Sequence, residues 1–157
     1  KLFADQRNTA STRADTVDDA FCKHFARLGE GDYCATLAYI ERNETHRAAL
    51  QEMRLFIRER KRVATVAEFG PRFLHSTGQA YKGGPNSGVF LQITADDPAD
   101  LPVPGERYTF GIVKAAQARG DFDVLAARKR RALRVHISGD LEQGLARIKQ
   151  AIEHALS

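Results

Sequence analysis

The feature that most constrains the fold is a nearly continuous run of apolar, β-forming residues between Asp32 and Ile40. A strand exposed on one face alternates apolar and polar residues, whereas an unbroken apolar strand has to be covered on both faces. Such strands are typical of parallel sheets, because the helices that connect parallel strands pack on both sides of the sheet. The run therefore predicts an α/β fold.

Residues with helical spacing flank this strand on both sides. The segment before it predicts a helix near 14–28, which Gly29 ends. After the strand, Asn43 is a suitable N-cap for a helix whose apolar stripe includes Leu50 and Ile57. A helix on each side of a buried strand is the alternation expected of a parallel sheet.

The rest of the chain continues this alternation. Short β-rich segments predict three more strands, within 62–69 and at 89–94 and 134–137. Two helices are expected between the last two strands, one over 109–119 that Gly120 ends and a short one over 122–127. Asp140 caps a final helix, with Gln143 as its capping-box partner. We therefore expect a three-layer α/β domain: a mainly parallel sheet of about four strands, with helices on both faces.

Length and composition fit one globular domain: 157 residues, 43% of them hydrophobic and 28% charged. We expect a single domain over 1–157, in which 1–13 form a linker or an extended lead-in. No apolar run approaches the ~20 residues of a membrane span, so we expect no membrane partner. The sequence starts without Met and without the apolar core of a signal peptide. These features predict an excised piece of a longer cytoplasmic protein.

The formal net charge of +4 is concentrated in two basic runs, 58–62 and 128–131. Each run falls at the expected C-terminal end of a helix, where the helix dipole favours cations. We therefore interpret both runs as solvated helix ends and expect no nucleic-acid partner. Cys22 and Cys34 lack the second pair that a zinc site or a redox motif requires. We expect no metal site and a reducing, cytoplasmic environment.

The segment 70–88 follows the strand expected within 62–69, so it starts at a carboxyl end of the sheet, where α/β folds bind ligands. With five glycines and two prolines, it is too irregular for a strand and long for a simple connection. Its hydroxyls, imidazole and cations suit a phosphorylated polyol. The candidate substrate-binding residues are Arg72, Ser76, Thr77, Gln79 and Lys82. A glycine-rich connection without any ligand is the alternative, and neither common nucleotide-binding glycine motif occurs.

Two stretches of this region resemble a known family. Gly-Pro-Arg-Phe-Leu-His-Ser-Thr-Gly-Gln at 70–79 and Lys-Gly-Gly-Pro-Asn-Ser-Gly-Val-Phe-Leu-Gln-Ile-Thr at 82–94 closely resemble the C-terminal part of bifunctional transaldolase/glucose-6-phosphate isomerases. The same resemblance extends to 2–8, 31–33 and 108–111, and to Lys114, Gln117, Gly120 and Asp121. It therefore covers nearly the whole chain.

The resemblance implies a second sugar-isomerase (SIS) domain from an enzyme that interconverts glucose 6-phosphate and fructose 6-phosphate. It implies no metal and no organic cofactor. The expected partners are the sugar phosphate and the first SIS domain of the same chain, and a homodimer with a second copy is left open. In the family, one group protonates the ring oxygen and a carboxylate moves the proton between C1 and C2. We expect the isolated domain to contribute part of this site and to be inactive alone.

The catalytic residues of the family can be placed only in part. Related isomerases have Gly-Thr-Asn-Gly-Gln-His at this loop, whereas here Ala80 follows Gln79. His75 and Lys82 are the candidate substitutes for that histidine, and His75 is favoured because imidazole titrates near neutral pH. A turn-stabilising histidine is the alternative.

A family lysine on a late helix is matched by Lys114, which lies two positions short of the family spacing. We assign His75 and Lys114 as catalytic candidates, with a solvated helix lysine as the alternative for Lys114. Glu59 and Glu68 are nearest to the expected catalytic glutamate, and neither can be assigned to it. A non-catalytic sugar-phosphate-binding SIS module is the alternative function.

Overall fold

The computed structural model describes residues 2–4 and 14–157. The strands are β1 (Leu2–Ala4), β2 (Tyr33–Tyr39), β3 (Ala64–Phe69), β4 (Gly88–Ala95) and β5 (Arg131–Ile137). The helices of the described residues are α1 (Val17–Phe25), α2 (Glu44–Lys61), α3 (Thr77–Gly83), α4 (Phe110–Ala127) and α5 (Leu141–Ala155). None of these helices is both long and apolar enough to cross a membrane.

The strands form one sheet in the order β1-β5-β4-β2-β3. The four strands β2 to β5 are parallel, and β1 joins the edge antiparallel to β5. This arrangement is the mainly parallel α/β sheet that the sequence predicts. Part of the expected lead-in, 2–4, is the edge strand, and 5–13 lie outside the described residues.

Helices cover both faces of the sheet because the side chains of the central strands alternate between two apolar cores. On β2, Cys34 and Ala38 face one core, whereas Ala35 and Leu37 face the other. The first core lies beneath α1, α2 and α5, and we call it the three-helix face. The second lies beneath α3 and α4, and we call it the two-helix face. The predicted three-layer arrangement is confirmed.

The helix caps follow the sequence closely. The side chains of Asn43 and Asp140 accept hydrogen bonds from the backbone N–H groups of His46 and Gln143, both at 2.8 Å. Thr109 caps α4 in the same way, at 3.2 Å from the backbone nitrogen of Ile112. These caps satisfy backbone donors that have no partner inside the helix.

Two element predictions on the two-helix face are wrong, and β5 begins three residues earlier than expected. Residues 110–127 form the single helix α4, which continues through Gly120. Glycine inside a helix costs about 1 kcal/mol relative to alanine, and the burial of Phe122 and Leu125 on the far side of Gly120 offsets it. The segment 70–88, expected to be irregular, contains the short helix α3.

The second basic run is a solvated helix end only in its first half, where Arg128 caps α4 and Lys129 is exposed. Arg131 begins β5, and its guanidinium pairs with both carboxylate oxygens of Asp32 at 2.7 Å. It also donates to the backbone oxygen of Arg27 at 2.8 Å. Arg131 thus ties the start of β5 to the chain that precedes β2. The first basic run does end a helix, because Arg58, Arg60 and Lys61 form the last turn of α2.

Replacing Asp32 with Asn tests this tie, and we expect a loss of about 1–3 kcal/mol in the free energy of unfolding at pH 7. The hydrogen bond from Arg131 lowers the pKa of Asp32 below its ordinary value. The ionised carboxylate therefore stabilises the fold above the unfolded-state pKa of about 4, and this contribution disappears as the pH falls through the lower folded-state pKa. Urea unfolding of both proteins from pH 7 to pH 3 should show the difference shrinking on acidification.

Glu44→Gln is the matched control, because Glu44 pairs with Arg47 in water at the start of α2. Solvent screening leaves such a pair little effect on stability. A loss for Glu44→Gln equal to that for Asp32→Asn, or a difference for Asp32→Asn that does not depend on pH, would contradict the structural role of Asp32.

Candidate functional site

A cleft of about 440 Å³ lies between α3 and α4 on the two-helix face. Three predicted site residues line it from the α3 side: His75, Gln79 and Lys82. On the other wall, α4 contributes Gln117, Gly120, Asp121 and Val124, and Arg128 follows at its end. We call this space the α3–α4 cleft. It gathers imidazole, amide, ammonium, guanidinium and carboxylate groups around an open volume.

Aromatic packing and close backbone contacts hold the α3 wall in place. Phe73 and Tyr81 are buried in the core of the two-helix face, where the Phe73 ring packs edge-on against Tyr39. Gly78 has to be small, because a Cβ there would lie 2.8 Å from the backbone oxygen of Phe73. Gly70 is equally constrained, since its Cβ would lie 2.5 Å from the Tyr39 ring. The glycines therefore let α3 approach the sheet closely enough to form a wall.

The two walls are joined by an ion pair between Lys82 and Asp121 at 2.7 Å. The side chains are 16% and 3% exposed, so this contact is shielded from water. Only one carboxylate oxygen of Asp121 bonds to Lys82; the other is buried, with the Tyr39 hydroxyl nearby. Asp121 therefore holds the two walls together and does not present its second oxygen to the cleft.

Two arginines lie at one end of the α3–α4 cleft, beside the C-terminal end of α3. Arg130 donates to the backbone oxygens of Lys82 and Gly84, at 2.8 and 2.5 Å. Arg128 donates to the same oxygen of Lys82 at 3.3 Å and lines the cleft itself. These bonds fix the end of α3 and place positive charge at one end of the cleft.

Burial and the nearby Asp121 carboxylate raise the pKa of the Tyr39 hydroxyl.

The remaining predicted binding residues lie outside the lining of the cleft. The Ser76 hydroxyl donates to the backbone oxygen of Phe73 at 3.2 Å, which stabilises the turn into α3. The Thr77 hydroxyl donates to the Glu68 carboxylate at 2.8 Å, and Arg72 is exposed. Even Gln79, which lines the cleft, donates its amide to the backbone oxygen of Leu74 at 2.9 Å. Several of these polar groups therefore support the local backbone.

The two predicted catalytic residues line different clefts. His75 lies on the wall of the α3–α4 cleft. Lys114 lies near the start of α4, in a smaller cleft with Leu101 and Phe110, and it forms an ion pair with Asp97. The structure therefore does not bring His75 and Lys114 together within this chain.

The two glutamates left open by the sequence differ in their surroundings. Glu59 pairs with Arg58 at 2.7 Å in water at the end of α2. Glu68 lies at the carboxyl end of β3, where the Tyr81 hydroxyl donates to it at 2.5 Å. Burial, together with this hydrogen bond, raises the pKa of Tyr81. Of the two, Glu68 is thus the one connected to the α3 wall.

Sequence reasoning missed the α4 wall of the cleft. Gln117, Asp121 and Arg128 are separated by four and seven positions, so a continuous helix places them on one side. The expected break at Gly120 concealed this spacing. If 110–127 is interpreted as one helix, the spacing of these three residues places them on the side that faces α3.

Comparisons with known proteins give a fold and no family. No family model matches the chain, and no curated protein matches it. Ten chains of solved structures match it. One is the crystal structure of a hypothetical protein from Thermus thermophilus, with a TM-score of 0.67 and 13% sequence identity. The match covers 96% of this chain and 42% of the other, so the chain spans about two fifths of that neighbour's length.

The positions of the side chains that could ligate a metal ion bear on metal binding. Among residues 2–4 and 14–157, no group of three or more His, Cys, Asp or Glu side chains is arranged to hold a metal ion. Cys22 and Cys34 are free thiols, and burial raises the pKa of Cys34 to about 12.

Replacing Lys82 with Met should destabilise the fold by about 3–5 kcal/mol, because the buried Asp121 carboxylate would lose its counterion. Adding Asp121→Asn should recover much of this loss, since no buried charge is then left unpaired. Urea unfolding of the wild type, both single variants and the double variant measures the coupling between the two residues. Equal losses in Lys82→Met and in the double variant would show that the ion pair does not join the walls.

Proposed function

We propose that this chain is the second SIS domain of a glucose-6-phosphate isomerase, fused to a transaldolase in its parent protein, and that it contributes part of a sugar-phosphate site. The proposal starts from the resemblance of 70–94 to the C-terminal part of that family. The three-layer α/β fold is compatible with it. The parent enzyme would be a cytoplasmic isomerase of carbohydrate metabolism, acting without a metal or an organic cofactor.

One observation carries the proposal. Two separate stretches that resemble the family form opposite walls of the α3–α4 cleft. One wall contains residues of 70–79 and Lys82, and the other contains Gln117, Gly120 and Asp121. They are distant in sequence, and helix packing alone does not require polar residues from both. Their meeting around one volume supports a shared ligand.

The chemistry of the cleft suits a phosphorylated sugar. Arg128 supplies positive charge at one end, where a phosphate would sit, whereas the charge of Lys82 is balanced by Asp121. The side-chain amides of Gln79 and Gln117 can bond to sugar hydroxyls. His75 is the candidate for protonating the ring oxygen during ring opening.

A domain that holds only part of the site should bind substrate without turning it over. Isomerisation needs a proton moved between C1 and C2 as well as ring opening, and Lys114 lies in a different cleft from His75. We infer that the missing groups come from the first SIS domain or from a second copy. Glu68 accepts a hydrogen bond from Tyr81 and so supports the α3 wall.

The separation of His75 from Lys114 also favours a second candidate, a non-catalytic SIS module that binds a sugar phosphate. A protein extended at its N-terminus through the first SIS domain distinguishes the two. Turnover of fructose 6-phosphate by that protein supports the isomerase, and binding without turnover supports the module.

Calorimetric titration of this domain with fructose 6-phosphate tests the shared proposal. We expect saturable binding, weakened roughly ten- to a hundred-fold by Arg128→Gln, because a charge-assisted hydrogen bond contributes about 1.5–3 kcal/mol. Arg58→Gln removes the same charge at the exposed end of α2 and should leave the affinity unchanged. No saturable binding, or equal weakening by both variants, would refute a sugar-phosphate site in the α3–α4 cleft.

A further inference from the structure

Most glycines of this chain are required by the fold itself. A fold requires glycine where the backbone adopts a positive φ or where a side chain would collide with a neighbour. The first condition holds at Gly31, Gly105 and Gly139. At six others a Cβ would lie less than 3.0 Å from a neighbouring atom: Gly70, Gly78, Gly84, Gly88, Gly111 and Gly144. Of the twelve glycines, only Gly29, Gly83 and Gly120 meet neither condition.

Two of these three glycines line the α3–α4 cleft from opposite walls. Gly83 is the last residue of α3, and Gly120 lies inside α4. A Cβ built at either position has no atom within 4 Å beyond its own helix and chain neighbours, so it would stand in open space. Alanine would favour both helices more than glycine does. Neither packing nor backbone geometry therefore explains why these two residues are glycine.

The side of α4 around Gly120 carries its groups in an order that suits a sugar phosphate. Gln117, Gly120, Val124 and Arg128 follow one another at intervals of three or four residues, which places them on one side of the helix. An amide lies at one end of this row and a guanidinium at the other. Between them lie bare backbone and the apolar side chain of Val124, which is 40% exposed. A carbon skeleton lying over the middle of the row would cover that apolar surface.

We propose that Gly83 and Gly120 form the steric opening of the α3–α4 cleft, and that the carbon skeleton of the sugar phosphate lies directly against the backbone at both residues. Glycine permits this close approach because it has no side chain. The inference rests on the proposed function, since it takes the phosphate to bind at Arg128. The carbon skeleton then extends from Arg128 over Val124 and Gly120 toward Gln117.

Gly120→Ala tests the α4 wall, because stability and binding should change in opposite directions. Nothing packs at this position, so alanine should stabilise α4 and raise the unfolding temperature by about 2–4 °C. The added methyl group would occupy space that the ligand needs, so fructose 6-phosphate should bind at least about ten-fold more weakly in calorimetric titration. Gly120→Leu retains a good helix former, fills more of the cleft and should abolish saturable binding.

Gly83→Ala tests the α3 wall and should also weaken fructose 6-phosphate binding about ten-fold. Gly29→Ala is the matched control, because the fold does not require this glycine either. Its Cβ would make an ordinary contact of 3.8 Å with the Asp32 carboxylate, and it lies outside the lining of the α3–α4 cleft. Gly29→Ala should therefore leave the affinity unchanged.

Unchanged affinity in Gly120→Ala or in Gly83→Ala would overturn this inference, and so would an equal loss of affinity in Gly29→Ala. A lower unfolding temperature for Gly120→Ala would also overturn it, because the fold itself would then require the glycine. If Arg128→Gln weakens binding and the glycine variants do not, the proposed function stands and this inference fails. If the wild-type domain shows no saturable binding, both fail.

Discussion

The pairing of β2 with β4, buried on both faces, is the interaction on which the rest of the structure depends. The two strands run parallel in register from Tyr33 opposite Gly88 to Tyr39 opposite Thr94. Because the residues of this pair pack against one core or the other, helices must cover both sides. The pair also positions the α3–α4 cleft, because its aromatic side chains on the two-helix face pack against Tyr81 of α3.

The sequence predicted this architecture because the patterns that identify its strands and helices involve residues close together in the chain. An unbroken apolar run identifies β2, and caps such as Asn43 and Asp140 act within one helical turn. The predictions failed where a distant contact overrides a local preference. Gly120 is a helix breaker by local rules, yet buried residues on both sides of it keep α4 continuous. Arg131 belongs to a basic run, yet Asp32, ninety-nine positions away, turns it into a structural tie.

The candidate site was predictable on one wall only. His75, Gln79 and Lys82 were identified because they share a short, chemically rich segment. Asp121 and Arg128 come from a helix whose course was misjudged, and the pairing of Asp121 with Lys82 spans thirty-nine positions.

A crystal structure of this domain with fructose 6-phosphate would locate the ligand directly. We expect the sugar phosphate between α3 and α4, with its phosphate within hydrogen-bond distance of Arg128 and a sugar hydroxyl bonded to the side-chain amide of Gln79 or Gln117. A sugar phosphate bound elsewhere on the domain, or crystals soaked at saturating concentration that show no ligand in the α3–α4 cleft, would contradict the proposed site.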